Sequence, residues 1–139
     1  MALGILTYKT PNPINLLTVD LSDYEGHGLR LSAQNEVSPA TTKTQIPYGV
    51  VVVGANSLDG TGAGPVAASA LEIVDSLGSV VQATAGVGGV VAGALVSIGA
   101  ASHFVAATAT PGNWNWGLAL TDASAGQQFL LRFYPTQVP

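Results

Sequence analysis

The chain has 139 residues, the length of a single domain, and 47% of them are hydrophobic whereas only 9% are charged, against about a quarter in an ordinary soluble domain. Its formal net charge is −4, and its four cations, Lys9, Arg30, Lys43 and Arg132, are too scattered to neutralise a run of phosphates, which excludes nucleic acid as a partner. Cysteine is absent, which excludes disulfides, thiolate metal sites and thiol nucleophiles.

The first half of the chain predicts an extended start followed by short strands. Pro11 and Pro13 lack a donor N–H and disfavour helix in the residue before them, so we interpret residues 1–15 as an extended N-terminal arm. The polar segment Asn35–Thr44 is predicted to be a loop. The run of four valines at 50–53 is β-branched throughout, which favours a pleated surface over a helix. Strands are therefore predicted at Leu16–Val19, Leu29–Ser32 and Val50–Val53.

The second half of the chain is divided by glycine-rich turns. Asn56–Pro65 is predicted to be a flexible loop; its glycines lack the Lys-Ser/Thr of a phosphate-binding loop. The segment Val66–Val74 is compatible with either a short helix or a strand. Its last residues alternate between apolar and polar side chains, which favours a strand for that part of the segment. Further strands are predicted at Ser79–Ala85, Val90–Ile98, His103–Ala109, Trp116–Leu120 and Gln127–Tyr134. This spacing is typical of all-β folds, so we predict a small β-barrel or sandwich at 16–139 with the arm at 1–15.

A charge-free stretch runs from Ser76 to Thr121, whereas ten of the twelve charged residues precede it. Within it, Ala85–Ala101 is apolar and contains a Gly-x-x-x-Gly spacing, which raises the alternative of a transmembrane helix. The apolar part is shorter than the about 20 residues that such a helix needs, five glycines interrupt it, and no Lys or Arg flanks it. We therefore expect no membrane partner and interpret the stretch as strands buried in a core or an oligomer interface.

The groups that can hold or move protons are few. His27 and His103 are the two histidines, and His103 is interpreted as a strand-edge side chain bonded to backbone rather than as a general base. Asp23, Glu25 and His27 have the spacing that would place three metal ligands on one face of a strand. Gly26 and Gly28 favour a turn, which would break that alternation. We therefore assign no catalytic residue, no metal and no cofactor.

Trp114 and Trp116 lie two residues apart, so both rings would face the same way in an extended segment. Tryptophan is enriched at interfaces, and it also stacks on sugars and bases. The sequence therefore leaves two interpretations of Trp114 and Trp116 open: packing in a core or interface, and contact with a ligand.

The segment Gly117–Phe133, preceded by Val80–Gly86, resembles the ending of tailed-phage head decoration, or cement, proteins. Members of that group close with a Gly-x-Ala-Leu strand, an Ala-x-Ala-Gly turn and a last alternating strand. The resemblance covers the last third to half of the chain, and the longer N-terminal half and the paired tryptophans depart from it. It implies a β-rich protein that trimerises on the outside of a capsid and bridges neighbouring capsid subunits, and it brings no catalytic residues.

Three functional hypotheses follow from these observations, the third of which is an enzyme or metalloprotein that uses Asp23, Glu25 and His27. The first is a non-enzymatic virion protein on the outer capsid surface, a homo-oligomer with the major capsid protein as its partner. In it, residues 1–15 and the Pro39–Pro47 loop contact the shell, and residues 76–134 form the core and the oligomer interface. The alternative is a carbohydrate-binding or adhesive β-module that uses Trp114 and Trp116.

Overall fold

A computed structural model describes residues 10–11, 17–18, 21, 23–33, 36–53, 66–67 and 72–139. In this part of the chain the regular structure is almost entirely β. The first seven strands are β1 (Thr10–Pro11), β2 (Leu17–Thr18), β3 (Gly28–Ala33), β4 (Glu36–Pro39), β5 (Pro47–Val53), β6 (Val66–Ala67) and β7 (Glu72–Val74). The other five are β8 (Val80–Thr84), β9 (Leu95–Ile98), β10 (Phe104–Ala106), β11 (Trp114–Ala119) and β12 (Gln128–Gln137).

The first sheet contains the seven strands of the N-terminal half in the order β1-β7-β5-β3-β4-β2-β6. Its pairs are antiparallel except for β2 and β4, which run parallel. Strand β5 is central, because it pairs with β3 on one side and with β7 on the other. The pairing explains why this valine-rich segment extends as a strand: Val50 and Val52 pack into one core cluster, and Val51 packs into the other on the opposite face of the sheet.

The second sheet contains the remaining strands in the order β10-β9-β11-β12-β8 and is antiparallel. Strand β12 is its longest strand and pairs with both β11 and β8. The two edge strands approach each other at one end, where Ala85 and Phe104 form an isolated bridge and the Gly86 N–H donates to the Phe104 carbonyl at 2.7 Å. The sheet is nevertheless not closed into a barrel, so the predicted all-β fold is confirmed as a sandwich.

The main core lies between the two sheets. The first sheet contributes Val50 and Val74, and the second sheet contributes alternate residues of its strands together with Trp116. The aromatic rings of this core meet edge to face, with centroid distances of 5.5 Å between Phe104 and Trp116 and 6.2 Å between Trp116 and Phe133. Because apolar burial is the dominant favourable term in folding, this cluster is the principal source of stability.

The opposite face of the first sheet is also buried. A second hydrophobic cluster lies there, and two tyrosines, Tyr24 and Tyr48, pack against it. Its buried members are Leu21, Leu29, Val37, Val51 and Ile73. Consecutive residues of β5 and β7 thus enter different cores, because side chains alternate across a strand. Both faces of the first sheet therefore carry buried apolar side chains.

Several predicted boundaries differ from the structure. The predicted loop Asn35–Thr44 contains β4, whose Ser38 and Pro39 pair with Arg30 and Leu29. The predicted strand Val90–Ile98 is extended only at Leu95–Ile98, because turns occupy the residues before it. The strands predicted around Val50–Val53, at the end of Val66–Val74 and in Gln127–Tyr134 are confirmed.

Two other predictions concern mostly residues outside the described ones. Within the predicted arm, Thr10 and Pro11 pair with Ile73 and Glu72 of β7, and the rest of residues 1–15 lies outside the described part, as does the predicted loop at 56–65. The division into an arm and a single domain at 16–139 stays a prediction. In the described part of the chain, no helix is long and apolar enough to cross a membrane.

Candidate functional site

The three residues considered as candidate metal ligands, Asp23, Glu25 and His27, do not converge. Asp23 and Glu25 lie exposed in a turn, whereas His27 follows the turn and is half-buried. The turn is closed by the Tyr24 N–H donating to the Leu21 carbonyl at 3.1 Å and the His27 N–H donating to the Tyr24 carbonyl at 2.9 Å. Among the described residues, no group of three His, Asp or Glu side chains is arranged to hold a metal ion. The turn expected from the flanking glycines explains this result, because it removes the alternation that a shared face requires.

The segment Gly26–Gly28 joins the two sheets. The Gly26 N–H donates to the Val51 carbonyl of the first sheet at 2.8 Å, and the Gly26 carbonyl accepts from the Thr84 N–H of the second sheet at 3.0 Å. A Cβ atom on Gly28 would lie 2.7 Å from Cδ1 of Ile98 and 2.9 Å from the Trp116 ring. Side chains at this position would therefore hold the sheets apart, which is why a glycine is needed where the tryptophan packs.

His27 and His103 meet at this same junction. Their ring centroids are 4.6 Å apart and the ring planes are inclined by 67°, and Tyr24 contacts the other side of His27 with a centroid distance of 4.9 Å. Burial and the charge of His103 lower the pKa of His27, against the smaller raising effects of a hydrogen bond with the Ala101 backbone and of Glu25. Sequence reasoning missed this pair, because nothing in the local pattern of either residue indicates that the sheets bring them together.

The two tryptophans do not form a common platform. Trp116 is fully buried in the main core, whereas Trp114 is half-buried. A register shift in the pairing of β11 with β12 between Asn115 and Gly117 interrupts the regular alternation on which the prediction relied. Trp116 therefore packs in the core and cannot stack on a sugar in this fold, whereas Trp114 keeps part of its surface exposed.

The outer face of the second sheet is defined here by Val80, Leu95, Leu118 and Arg132, which form one row across four neighbouring strands. Their sequence neighbours Val81, Val96, Ala119 and Leu131 point into the main core, so this row points away from it. Leu95 is 51% exposed. The row is thus mostly aliphatic and has a single charge.

Two further exposed apolar side chains lie at one end of the same sheet. Val87 is 88% exposed and Val91 is 66% exposed, in the turns between β8 and β9. The turn is held to the β11–β12 connection, since Val90 and Ala123 form a bridge and the Asp122 carboxylate accepts from the Ala92 N–H at 2.7 Å. These valines are presented on an ordered loop.

The open edge of the second sheet is partly covered by the predicted shell-contacting loop. Lys43 Nζ donates to the Ala106 carbonyl of edge strand β10 at 3.4 Å, and the Lys43 carbonyl accepts from the Trp114 N–H at 2.7 Å. Burial lowers the pKa of Lys43. A lysine at a strand edge discourages pairing with another chain. Residues 41–46 otherwise remain mostly exposed and available to a partner.

A groove of about 500 Å³ lies beside this edge, bordered by Leu95, Ala107, Asn115 and Thr136 among others. The Asn115 Oδ1 atom is buried without a hydrogen-bond partner. The groove borders the outer face at Leu95, so the two features form a continuous surface of small and aliphatic residues.

Comparison with known proteins shows that a solved structure has a similar fold. No protein-family model matches the sequence, and no curated protein sequence matches it significantly. Among solved structures, the N base of the head fiber gp8.5 of bacteriophage phi29 superposes with a TM-score of 0.58 at 14% identity, covering 97% of this chain and 98% of that chain. The likeness therefore shows a shared fold over nearly the full length of both chains.

Proposed function

We propose that this protein is a non-enzymatic structural component of a phage head. It decorates the outer surface of the capsid as a homo-oligomer, a trimer by the sequence resemblance, and bridges major capsid subunits. The observation that carries the proposal is the whole-length fold likeness to the base of a phage head fiber. The resemblance of Gly117–Phe133 to head decoration proteins supports the same class of particle from an independent direction.

The surface chemistry supports assembly through the outer face of the second sheet. The chain has a net charge of −4, so copies repel one another wherever their carboxylates face each other. The outer face avoids this repulsion, because its row has aliphatic side chains and Arg132 but no carboxylate. A second copy of the chain is therefore the occupant that we assign to it. A standard interface needs about 800 Å² per partner, and closed symmetry would repeat the contact.

Leu95→Glu tests this interface. The substitution places a carboxylate on the outer face of every copy, so we expect the oligomer to dissociate to monomers with little change in unfolding free energy. Multi-angle light scattering measures the mass. Val87→Glu is the matched control, because its side chain is even more exposed but lies outside the row, and it should leave the mass unchanged. A monomeric parent protein, or identical masses for both variants and the parent, would contradict the interface.

Binding to the capsid is tested separately. Capsids assembled from the major capsid protein of the same phage, without this protein, are mixed with it and sedimented. We expect saturable co-sedimentation and added density on the outside of the shell by electron cryomicroscopy, because repeated modest contacts sum by multivalency. No binding by a properly oligomeric protein would overturn the capsid role while leaving the interface intact.

A further inference from the structure

The two histidines form a titratable cluster at the junction of the sheets, and this cluster is independent of the proposed function. His27 precedes β3 of the first sheet, and His103 precedes β10 of the second. The chain has two histidines, and histidine is the residue type whose ordinary pKa lies between about pH 5 and pH 8. All of the chain's side chains that ordinarily titrate in this range therefore belong to this pair. The fold has placed both in direct ring contact.

The contact geometry does not suit a metal ion. Two imidazoles that bind one ion direct their nitrogen lone pairs at a point about 2 Å from each ring. Here the rings are inclined by 67° with centroids 4.6 Å apart, so the edge of one ring meets the face of the other. No third His, Asp or Glu completes such a group among the described residues. The arrangement is instead an edge-to-face packing contact between the two rings.

Protonation is unfavourable at this contact for a structural reason. The Ala101 backbone hydrogen-bonds the His27 ring, and Nδ1 of His27 is buried without a partner. An added proton at Nδ1 would therefore create a buried N–H with no acceptor beside the second imidazole. Among the described residues, the titratable or charged groups that face His27 are Tyr24 and Glu25 from its own turn and His103 from the second sheet. Glu25 opposes the effect only in part, since the net pKa shift of His27 is downward.

The backbone that presents His103 is strained. Ala101 and Ser102 both adopt positive φ angles, 57° and 62°, which non-glycine residues rarely do. The Ser102 side chain is 1% exposed and its hydroxyl has no hydrogen-bond partner. A segment of this kind persists only while the surrounding packing holds it in place. Loss of the histidine contact would release it.

We propose that the His27–His103 pair is an acid-sensitive latch between the two sheets. With both rings neutral, the pair holds the Gly26–Gly28 segment against the second sheet. Protonation of both rings places two cations in contact and opens this junction. The direction follows from linkage: the pKa of His27 is lowered in the folded state, so the unfolded or opened chain binds the proton more readily, and stability is lost as the pH falls below the ordinary value of 6.5.

Urea unfolding between about pH 8 and pH 5 tests the latch. Below the ordinary imidazole pKa, we expect the equilibrium constant for unfolding of the parent protein to rise as the pH falls. The rise is up to about tenfold per pH unit for each additional proton that the unfolded chain binds. The double variant His27→Gln/His103→Gln has no imidazole and should lose this rise. Both proteins keep the same carboxylates, so any contribution of the carboxylates to the pH dependence of unfolding is the same in both. The same pH dependence in parent and double variant would overturn the proposal.

Amide hydrogen exchange identifies the place that opens. The Thr84 N–H bonds to Gly26 across the junction, whereas the Phe133 N–H bonds to Ser79 within the second sheet. At about pH 5 we expect the parent, compared with the double variant at the same pH, to lose protection at Thr84 before Phe133. Equal loss at both amides would contradict a local latch.

A titration of the parent by NMR keeps the proposal testable if the variants do not fold. Titration of His27 below its ordinary value of 6.5 is expected. Titration of His27 at or above that value would overturn the latch.

Discussion

Replacing Trp116 with alanine is expected to lower the free energy of unfolding by about 3–5 kcal/mol, the cost of deleting a large buried aromatic side chain. The ring is fully buried, contacts Phe104 and Phe133 edge to face, and lies against Gly28 of the other sheet. Its removal therefore leaves a cavity where the two sheets meet. Urea denaturation followed by circular dichroism at neutral pH measures the change.

Two controls separate the causes. Trp114→Ala removes a half-buried ring from the same strand and should cost much less. Trp116→Phe keeps an aromatic ring and removes an indole N–H that is buried without a partner, so part of its lost packing is offset by relief of that desolvation. A similar loss for both alanine variants would mean that Trp116 is not the centre of the core.

Gly117→Ala is expected to destabilise the protein by about 3 kcal/mol or more, as backbone strain and overpacking combine. Gly117 lies in β11 with a φ of 153°, and an added Cβ would overlap the Arg132 carbonyl oxygen of β12. The obstacle is backbone in the neighbouring strand, which cannot rotate away as a side chain does. Relief would require shifting the pairing of β11 with β12.

The matched control for this glycine is Gly112→Ala. Gly112 also has a positive φ, 88°, but no atom lies within 4 Å of the Cβ that alanine would add. Its cost should be limited to the left-handed conformation itself, about 1–2 kcal/mol. Differential scanning calorimetry of both variants compares them directly, and an equal drop in melting temperature would exclude the steric explanation.

The strands that the sequence predicted well are those whose side chains alone favour extension. Val50–Val53 is β-branched at every position, and Gln127–Tyr134 carries large apolar side chains at the alternate positions Phe129, Leu131 and Phe133. Strand β4 was missed because Val37 is flanked by polar Glu36 and Ser38 and the strand ends in Pro39, so only pairing with β3 identifies it as a strand. Strand propensity depends on such tertiary contacts more than helix propensity does.

The sites were predictable only where local geometry decides them. The turn at Gly26 follows from local composition, and it separates Asp23 and Glu25 in the turn from His27 after it. The contacts of His27 with His103 and of Gly28 with Trp116 join residues that are far apart in the sequence, and no periodicity encodes them. The position of Trp116 depends on a register shift that two-residue spacing cannot reveal.

The place of β12 inside the second sheet has a consequence for biosynthesis. The strand spans Gln128–Gln137, yet both β8 and β11 need it as a hydrogen-bonding partner. The ribosome must therefore release those residues before β8 can join this sheet, whereas β9, β10 and β11 can pair with one another earlier. No charge between Ser76 and Thr121 protects the nascent segment from aggregation during that interval.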